Sequence, residues 1–465
     1  MRKAEFGIIG LGTMGRNLLL NISEKGYVGV GFDPDSNQRE VLSGHSDSSS
    51  VFVSDSLEAF VSCLESPRRI FIMVPSTEVD AVVDSLTSLI AESDLIIDCG
   101  NSYYKDTERR CASLADRGVG FIGAGVSGGE QGARSGASIM VGGDPEHYRM
   151  IEGMISGASA KLESGPCCAL LGARGAGHFV KMVHNGIEYA LMESIAEVYQ
   201  LLRVSHGLSN GQIADVFDKW NDGILGSFLL EISSAILRKK DENTGEDLID
   251  LISDVAGQKG TGVWTSMTAL EFGVAIPSVD AAVSVRQISG SKMLRKNLQS
   301  RIEKVGTAGS EESHSIDDCE SLLIVGFLAS FAQGFDLIKR VSKEMGYAID
   351  PVEVARIWRG GCIIRSEILS VLGTELKQEP SHLFESDRIL SLVAVNLVGA
   401  RRAVADAMRR GVPSMTSVAT ISYIDTLSCA DLSTNLIQAQ RDLFGAHTYE
   451  RKDREGRFHT KDWFE

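Results

Sequence analysis

Residues 6–24 read FGIIGLGTMGRNLLLNISE. The apolar run Phe6–Gly10 predicts a short buried strand, and Leu18, Leu19 and Ile22 at helical spacing predict a helix over Met14–Glu24. Between them, Gly10-Leu11-Gly12-Thr13-Met14-Gly15 is GxGxxG. Glycines there permit a tight turn, close approach of a pyrophosphate and close helix–sheet packing, while the helix start offers free N–H groups and a positive dipole end. Working outward, Val28–Phe32 reads as a second strand ending at Asp33, about 20 residues after the loop, where a carboxylate can accept from ribose hydroxyls. Arg69–Val74, Leu95–Asp98, Gly118–Ile122 and Ser138–Val141 read as further strands, and residues 45–50 (HSDSSS) as a surface loop. Alternating strands and helices predict an α/β, doubly wound (Rossmann) N-terminal domain: a parallel sheet with helices on both faces.

Beyond about Gly175 the pattern turns almost wholly helical. Helices are predicted over Gly177–Val204, Leu208–Asp218, Phe228–Lys239, Asp280–Lys296, Glu320–Met345, Pro351–Trp358 and Ser391–Arg409. The expected division is a dinucleotide-binding domain over 1–176, a large all-α substrate and dimerisation domain over 177–434, and a short C-terminal tail over 435–465. Residues 446–465 are polar and aromatic with little periodicity, so the tail is expected to be either disordered or packed on a surface such as another subunit.

Composition narrows the function. The 465 residues carry 46 basic and 62 acidic side chains, a net charge of −16, which disfavours non-specific nucleic-acid or anionic-membrane binding. No apolar run approaches a membrane span of about 18 residues; the most apolar stretch, Ser321–Ala332, is shorter. The eight cysteines are scattered, none forms CxxC, and no histidines cluster beside them in sequence, so neither a metal site nor a disulfide framework is expected. A reducing, cytoplasmic setting follows as the expectation.

The segment Gly177–Val204 carries the chemistry. Lys181, His184, Asn185 and Glu188 stand at i, i+3, i+4 and i+7 and line one face of a helix that is otherwise largely apolar. A lysine and a glutamate inside a buried helix are costly unless something polar meets them, and a bound ligand would do so. About 10 Å of axial rise separates Lys181 from Glu188, room to flank a small substrate with a base and an acid; a buried ion network is the alternative. Lys259-Gly260-Thr261-Gly262 groups a cation, a hydroxyl and flexible backbone N–H donors as a phosphate would require, without being a P-loop. Arg286, Arg441 and His447 stand elsewhere as isolated basic groups.

Longer motifs run along the whole chain: GLGTMGRNLLLN (10–21), DCGNSYYKDTERR (98–110), GVSGGEQGAR (125–134), GHFVKMVHNGIEYALME (177–193), AGQKGTGVWT (256–265), IWRGGCIIRSEIL (357–369) and NLIQAQRDLFGAHTYER (435–451). Together they closely resemble the 6-phosphogluconate dehydrogenase family, the decarboxylating enzymes of the pentose phosphate pathway. The resemblance implies oxidative decarboxylation of 6-phosphogluconate to ribulose 5-phosphate by a cytoplasmic homodimer. It implies Lys181 as general base and Glu188 as the acid that protonates C1. Asn101, Ser127, Gly128, Gly129, His184 and Asn185 would hold the carboxylate and hydroxyl end. Tyr189, Lys259, Thr261, Arg286 and Arg441 would hold the phosphate, with Arg441 and His447 supplied by the partner subunit. Gly10, Gly12, Thr13, Met14, Gly15, Asp33, Val74 and Asn101 would bind the dinucleotide, and no metal is implied.

Departures from the family pattern bear on the cofactor. Asp33-Pro34-Asp35 stands where the family has Asn-Arg-Thr, so the arginine that pairs with the 2′-phosphate of NADP is replaced and two carboxylates face that position. NAD is therefore the favoured cofactor, NADP remaining possible; Arg39 is the nearby cation that could offset the two carboxylates. Val141, Val263 and Leu443 also depart from the pattern, outside the residues given chemical roles. The alternative reading is a smaller β-hydroxyacid dehydrogenase, which shares the glycine loop and the lysine helix but has no need of residues 256–265 or 435–451.

Overall fold

In the computed structural model the described residues are 3–45, 50–302 and 314–464. Of the expected loop HSDSSS, residues 46–49 lie outside them. The chain forms two compact units, Met1–Thr420 and Ile421–Glu465.

The first unit opens on β1 (Phe6–Ile9), α1 (Thr13–Ser23), β2 (Gly29–Phe32), β3 (Val51–Val53), β4 (Arg69–Ile72), β5 (Leu95–Asp98), β6 (Gly120–Ser127) and β7 (Ser138–Gly142). A two-stranded hairpin, β8 (Lys161–Leu162) with β9 (Gly165–Pro166), precedes β10 (Cys168–Gly172). The main sheet has eight strands in the order β10-β7-β6-β5-β4-β1-β2-β3. Buried Phe6, Ile8, Ile97, Ile122 and Ile139 feed one apolar layer and Ile9, Val30, Ile70, Ile72 and Ile96 the other, so strands covered on both faces read as continuous apolar runs.

The sheet is not wholly parallel. β1 to β6 pair in parallel, but β7 runs antiparallel to β6, and β10 follows β7 in parallel. This corrects the expectation of an all-parallel sheet. Only residues 128–137 join β6 to β7, and they hold a single short helix, Gly129–Ser135. A parallel return needs a crossover of about a dozen residues or more.

Helices build the rest of this unit: α2 (Ala176–His206), α3 (Thr261–Phe272), α4 (Pro277–Ser289), α5 (Ile316–Met345) and α6 (Asp387–Arg410) frame it. The expected single helix Asp280–Lys296 is two, α4 and Lys292–Ile302, parted at the C-cap Gly290. Helix α5 packs between α2 and α6. By length and composition it could cross a membrane, but nearly all of its apolar stretch is buried inside the protein. Its start is held by a capping box in which Ser315 and Asp318 satisfy each other's backbone N–H. Buried Glu197 of α2 caps α7 (Met415–Leu427), accepting from the Thr416 and Ser417 N–H groups (2.8 Å each) and the Ser417 hydroxyl (2.6 Å).

The second unit contains α8 (Thr434–Gly445) and a hairpin of β11 (Tyr449–Glu450) with β12 (Arg457–Phe458). Its centre is Asp442, fully buried, which accepts from the Thr448 and Thr460 N–H groups (3.0 Å each), His459 Nδ1 (2.9 Å) and the Trp463 indole N–H (3.1 Å). An ordered hub around one carboxylate thus stands where the sequence showed only an aperiodic tail. Burial opposes the charged form of Asp442, yet the Thr460, His459 and Trp463 donors outweigh it and hold its pKa at about 2. A depressed carboxylate pKa stabilises the folded form above the unfolded value and loses that effect as pH falls toward about 2. Asp442→Asn, which cannot accept at both oxygens, should speed amide exchange of residues 446–463 by about tenfold or more; protection equal to wild type would contradict the hub.

Candidate active site

The glycine loop joins β1 to α1 as expected. An added Cβ at Gly15 would fall 1.9 Å from the Gly10 carbonyl oxygen, whereas one at Gly12 would meet nothing within 4 Å. Gly15 is thus a packing glycine, and Gly12 keeps open the face where a pyrophosphate comes to the start of α1. Thr13 and Met14 form the first turn of α1, and Val74, just past β4, packs against Gly10. These residues fit a dinucleotide. Asp33 Oδ2 accepts the Leu11 N–H at 2.7 Å, and Oδ1 accepts the Asp35 N–H at 2.9 Å. The carboxylate therefore closes an Asx turn and also ties the turn to the glycine loop. Arg39 donates through Nη1 to the carbonyls of Asp33 (2.6 Å) and Pro34 (3.1 Å).

Asn101 is exposed on the loop after β5. Buried Asp98 braces that loop, accepting from the Gly100 N–H (2.9 Å), the Ser102 hydroxyl (2.6 Å) and Arg110 Nη1 (3.3 Å). Sequence alone marked no role for Asp98 and Arg110, although both lie in DCGNSYYKDTERR (98–110).

Helix α2 carries the predicted polar stripe, and the stripe is one connected network. Lys181 Nζ donates to Asn185 Oδ1 at 2.8 Å and lies 3.4 Å from His184 Nδ1. His184 Nδ1 is 3.1 Å from Asn185 Oδ1, and Nε2 is 3.1 Å from Ser127 Oγ at the end of β6. An Nδ1–H imidazole satisfies both, donating to Asn185 and accepting from Ser127. Glu188 Oε2 stands 3.8 Å from His184 Nδ1. Gly125 seats the lysine, since a Cβ there would lie 2.3 Å from Lys181 Cβ. Trp358 meets the His184 ring edge-on at 5.6 Å, and buried Cys362 adds to the wall; both lie in residues 357–369, which sequence reading quoted without assigning a role.

Electrostatics separate the two titratable ends. Burial pushes Lys181 below the usual lysine range, with Glu188 and then Cys362 pulling the other way. Burial raises Glu188 above the usual carboxylate range, with Lys181 and Arg286 opposing it. Burial, and then Lys181, drives His184 well down, so it stays neutral. A lysine biased toward a free amine, with a carboxyl biased toward its acid form on the same helix face, has the protonation states that base and acid chemistry would need.

The anion group assembles in part. The anion-binding segment read over Lys259–Gly262 runs into helix α3 (Thr261–Phe272), with Gly260 at its N-cap and Thr261 in its first turn. Tyr189 packs on Gly262, where a Cβ would fall 2.6 Å from the ring. The Arg286 guanidinium lies 3.5 Å from the Tyr189 ring centroid, and its Nη1 donates to the Gly257 carbonyl at 3.2 Å. Tyr189, Thr261 and Arg286 thus come together, with Lys259 exposed on the adjoining loop. Gly128 and Gly129 open the helix after β6. Arg441 and His447 belong to the second unit, where both line one depression with Asn435 and Tyr449.

A dinucleotide loop and, in the same compact unit, a buried lysine with an acid on the same helix face define a nicotinamide-dependent oxidoreductase of the Rossmann type. Residues 5–172 match the NAD binding domain of 6-phosphogluconate dehydrogenase, and residues 177–463 match its C-terminal domain. The chain belongs to the 6-phosphogluconate dehydrogenase family. It is 41% identical to the NADP(+)-dependent and 41% identical to the NAD(+)-dependent decarboxylating 6-phosphogluconate dehydrogenases of Bacillus subtilis, each over 99% of both chains. The 6-phosphogluconate dehydrogenase of Plasmodium falciparum, solved in apo form and with NADP+ and 6-phosphogluconate, superposes with a TM-score of 0.94 at 36% identity, over 98% of this chain and 100% of that one.

Proposed function

We propose that Lys181 and Glu188 are the base and acid of a decarboxylating 6-phosphogluconate dehydrogenase, the activity that the family carries. The observation behind this is the Lys181–Asn185–His184–Ser127 network with Glu188 beside it. Lys181 as free amine takes the proton of the 3-hydroxyl. Gly12, Thr13 and Met14 would hold the dinucleotide, whose nicotinamide would supply the acceptor for the hydride leaving C3. The product is a 3-keto acid, and its carbonyl, β to the carboxylate, takes up the electron pair as CO₂ departs. Lys181, now protonated, stabilises the enolate oxygen. Glu188 then gives its proton to C1 of the enediolate, whose oxygen on C2 becomes the carbonyl of ribulose 5-phosphate. Ser127, Gly128, Gly129, Asn101, His184 and Asn185 hold the carboxylate and hydroxyls; Tyr189, Lys259, Thr261 and Arg286 hold the phosphate.

The cofactor is NAD in preference to NADP: Asp33 and Asp35 set two carboxylates at the turn after β2, and Arg39 is engaged with backbone carbonyls. The assembly is a cytoplasmic homodimer in which Arg441 and His447 complete the partner's phosphate site. Supporting this are large apolar side chains exposed along α6, with Val395 at 81% and Val398 at 57% exposure, of the kind that mark association surfaces. The domain division at 176/177 and 434/435 serves this arrangement: cofactor first, substrate second, and a tail that serves the neighbour.

Initial rates with 6-phosphogluconate, comparing kcat/KM for NAD and NADP in one buffer, test the reading. Turnover with NAD more efficient than with NADP is expected. Higher efficiency with NADP would discard the cofactor preference and keep the activity. No turnover with either would return the reading to other β-hydroxyacids.

A further inference from the structure

About 37 Å along α2 from Lys181, at 1.5 Å per residue, the helix ends on His206. There it meets His314, the residue before the Ser315 cap of α5, with Nε2 to Nε2 at 3.1 Å. Cys319, in the second turn of α5 and fully buried, joins them: one donor atom from each residue, and all three within 4.8 Å of one another. Behind His314, its Nδ1 stands 3.0 Å from Oδ2 of Asp406, a fully buried carboxylate of α6. Arg410 Nε (2.7 Å) and the Ser205 hydroxyl (3.1 Å) hold the same oxygen.

We propose that His206, His314 and Cys319 bind one divalent d-block cation, with zinc the metal that best suits the donor set. Nothing in the dehydrogenase chemistry uses these residues. Two imidazoles and a thiolate are the donors zinc prefers, and three protein ligands leave a fourth position for water on the solvent side, where His206 is half-exposed. With bonds of about 2.0–2.1 Å to nitrogen and 2.3 Å to sulfur, tetrahedral geometry needs the two nitrogens about 3.3 Å apart and sulfur about 3.6 Å from each. The Nε2 pair at 3.1 Å already meets this, and the spread of the three-donor group, within 4.8 Å, exceeds the bonded sulfur–nitrogen separation by about an ångström at most. The Asp406–His314 bond is the carboxylate–histidine arrangement that fixes a metal-binding imidazole: Nδ1–H donates to the carboxylate, and the Nε2 lone pair faces His206 Nε2. On binding, the Cys319 thiol gives its proton to solvent as the sulfur–metal bond forms. His206 turns its ring proton to Nδ1, freeing Nε2. The metal would clamp the end of α2 to the start of α5.

Cobalt(II) titrated into the reduced, metal-free full-length protein tests this. The expected result is one equivalent bound with sulfur-to-cobalt charge-transfer absorption and the intense visible bands of tetrahedral cobalt, all displaced by zinc, with one proton released per ion. Cys319→Ser should lose the charge-transfer band. Asp406→Asn should weaken binding by about 10–100-fold. Should a buried variant fail to fold, His206→Gln, at a half-exposed helix end, should cost at least about tenfold in cobalt affinity. No charge-transfer absorption in the wild type overturns the site. A band that survives Cys319→Ser, and so comes from another thiol such as exposed Cys429, overturns it equally, as does unchanged affinity in His206→Gln.

Discussion

Lys181→Met lowers kcat for 6-phosphogluconate oxidation by on the order of 10⁴-fold or more, with the dissociation constant for dinucleotide unchanged. The size follows from removing two functions at once. General-base catalysis is worth about 10²–10⁴-fold, and stabilisation of the developing oxyanion by a cation adds to it. Methionine matches the length of the lysine stem at a position that is buried with His184 and Asn185, so the fold should be retained. His184 Nδ1 still meets Asn185 Oδ1, which keeps that acceptor satisfied. The same pair sets the pH profile of the wild type. As the proposed base, Lys181 would act only as the free amine, so kcat/KM should fall as pH drops through its depressed pKa. As the proposed acid, Glu188 would act only in its protonated form, so the later protonation should fall as pH rises through its elevated pKa. Pre-steady-state measurement of hydride transfer, beside a thermal melt and a nucleotide titration, checks the variant; a transfer rate within tenfold of wild type would remove Lys181 from the role of base.

Asp33→Asn combined with Pro34→Arg shifts the kcat/KM ratio toward NADP by about 10²–10³-fold. A like charge facing a desolvated 2′-phosphate costs several kcal/mol, and each 1.4 kcal/mol is about tenfold. The asparagine oxygen still accepts the Leu11 N–H that Asp33 holds at 2.7 Å, so the glycine loop keeps its tie. The introduced guanidinium supplies the fork that suits a phosphate. Overall homology cannot decide this question, because the NAD(+)- and NADP(+)-dependent Bacillus subtilis relatives are equally similar at 41%. A ratio that stays within a factor of about three would show that this turn does not select the cofactor.

The parts of the molecule legible in sequence were those set by local period and local chemistry. The glycine loop, β5 over Leu95–Asp98 and the helix Pro351–Trp358 stood out because apolar spacing and a proline at the first helical turn act within a few residues. The stripe from Lys181 to Glu188 was legible for the same reason, since one helix face is a matter of period. Strand direction was not: β7 reverses because of the length of a connection, while its own residues look like those of any buried strand. Helix α3 was hidden by Gly260 and Gly262, which read as a loop until the cap is seen. The meeting of His206, His314 and Cys319 depends on how α2, α5 and α6 pack, and no local pattern announces it. The hairpin of β11 and β12 is two residues per strand, too short for alternation to register, and its order comes from the single carboxylate of Asp442.

The reversed strand β7 has a consequence for anyone reshaping this enzyme. Where α2 starts, Gly177 sits against the sheet so closely that a methyl there would fall 2.4 Å from the Gly123 carbonyl oxygen and 2.5 Å from Gly142 N. One at Gly142 would fall 2.3 Å from Gly177 N. Backbone rests on backbone with no side chain between, four residues before Lys181. Pocket walls can be recut to admit other hydroxyacids, but this seam fixes where the lysine stands. Libraries aimed at new substrates should hold positions 123, 142 and 177 constant and spend their diversity elsewhere.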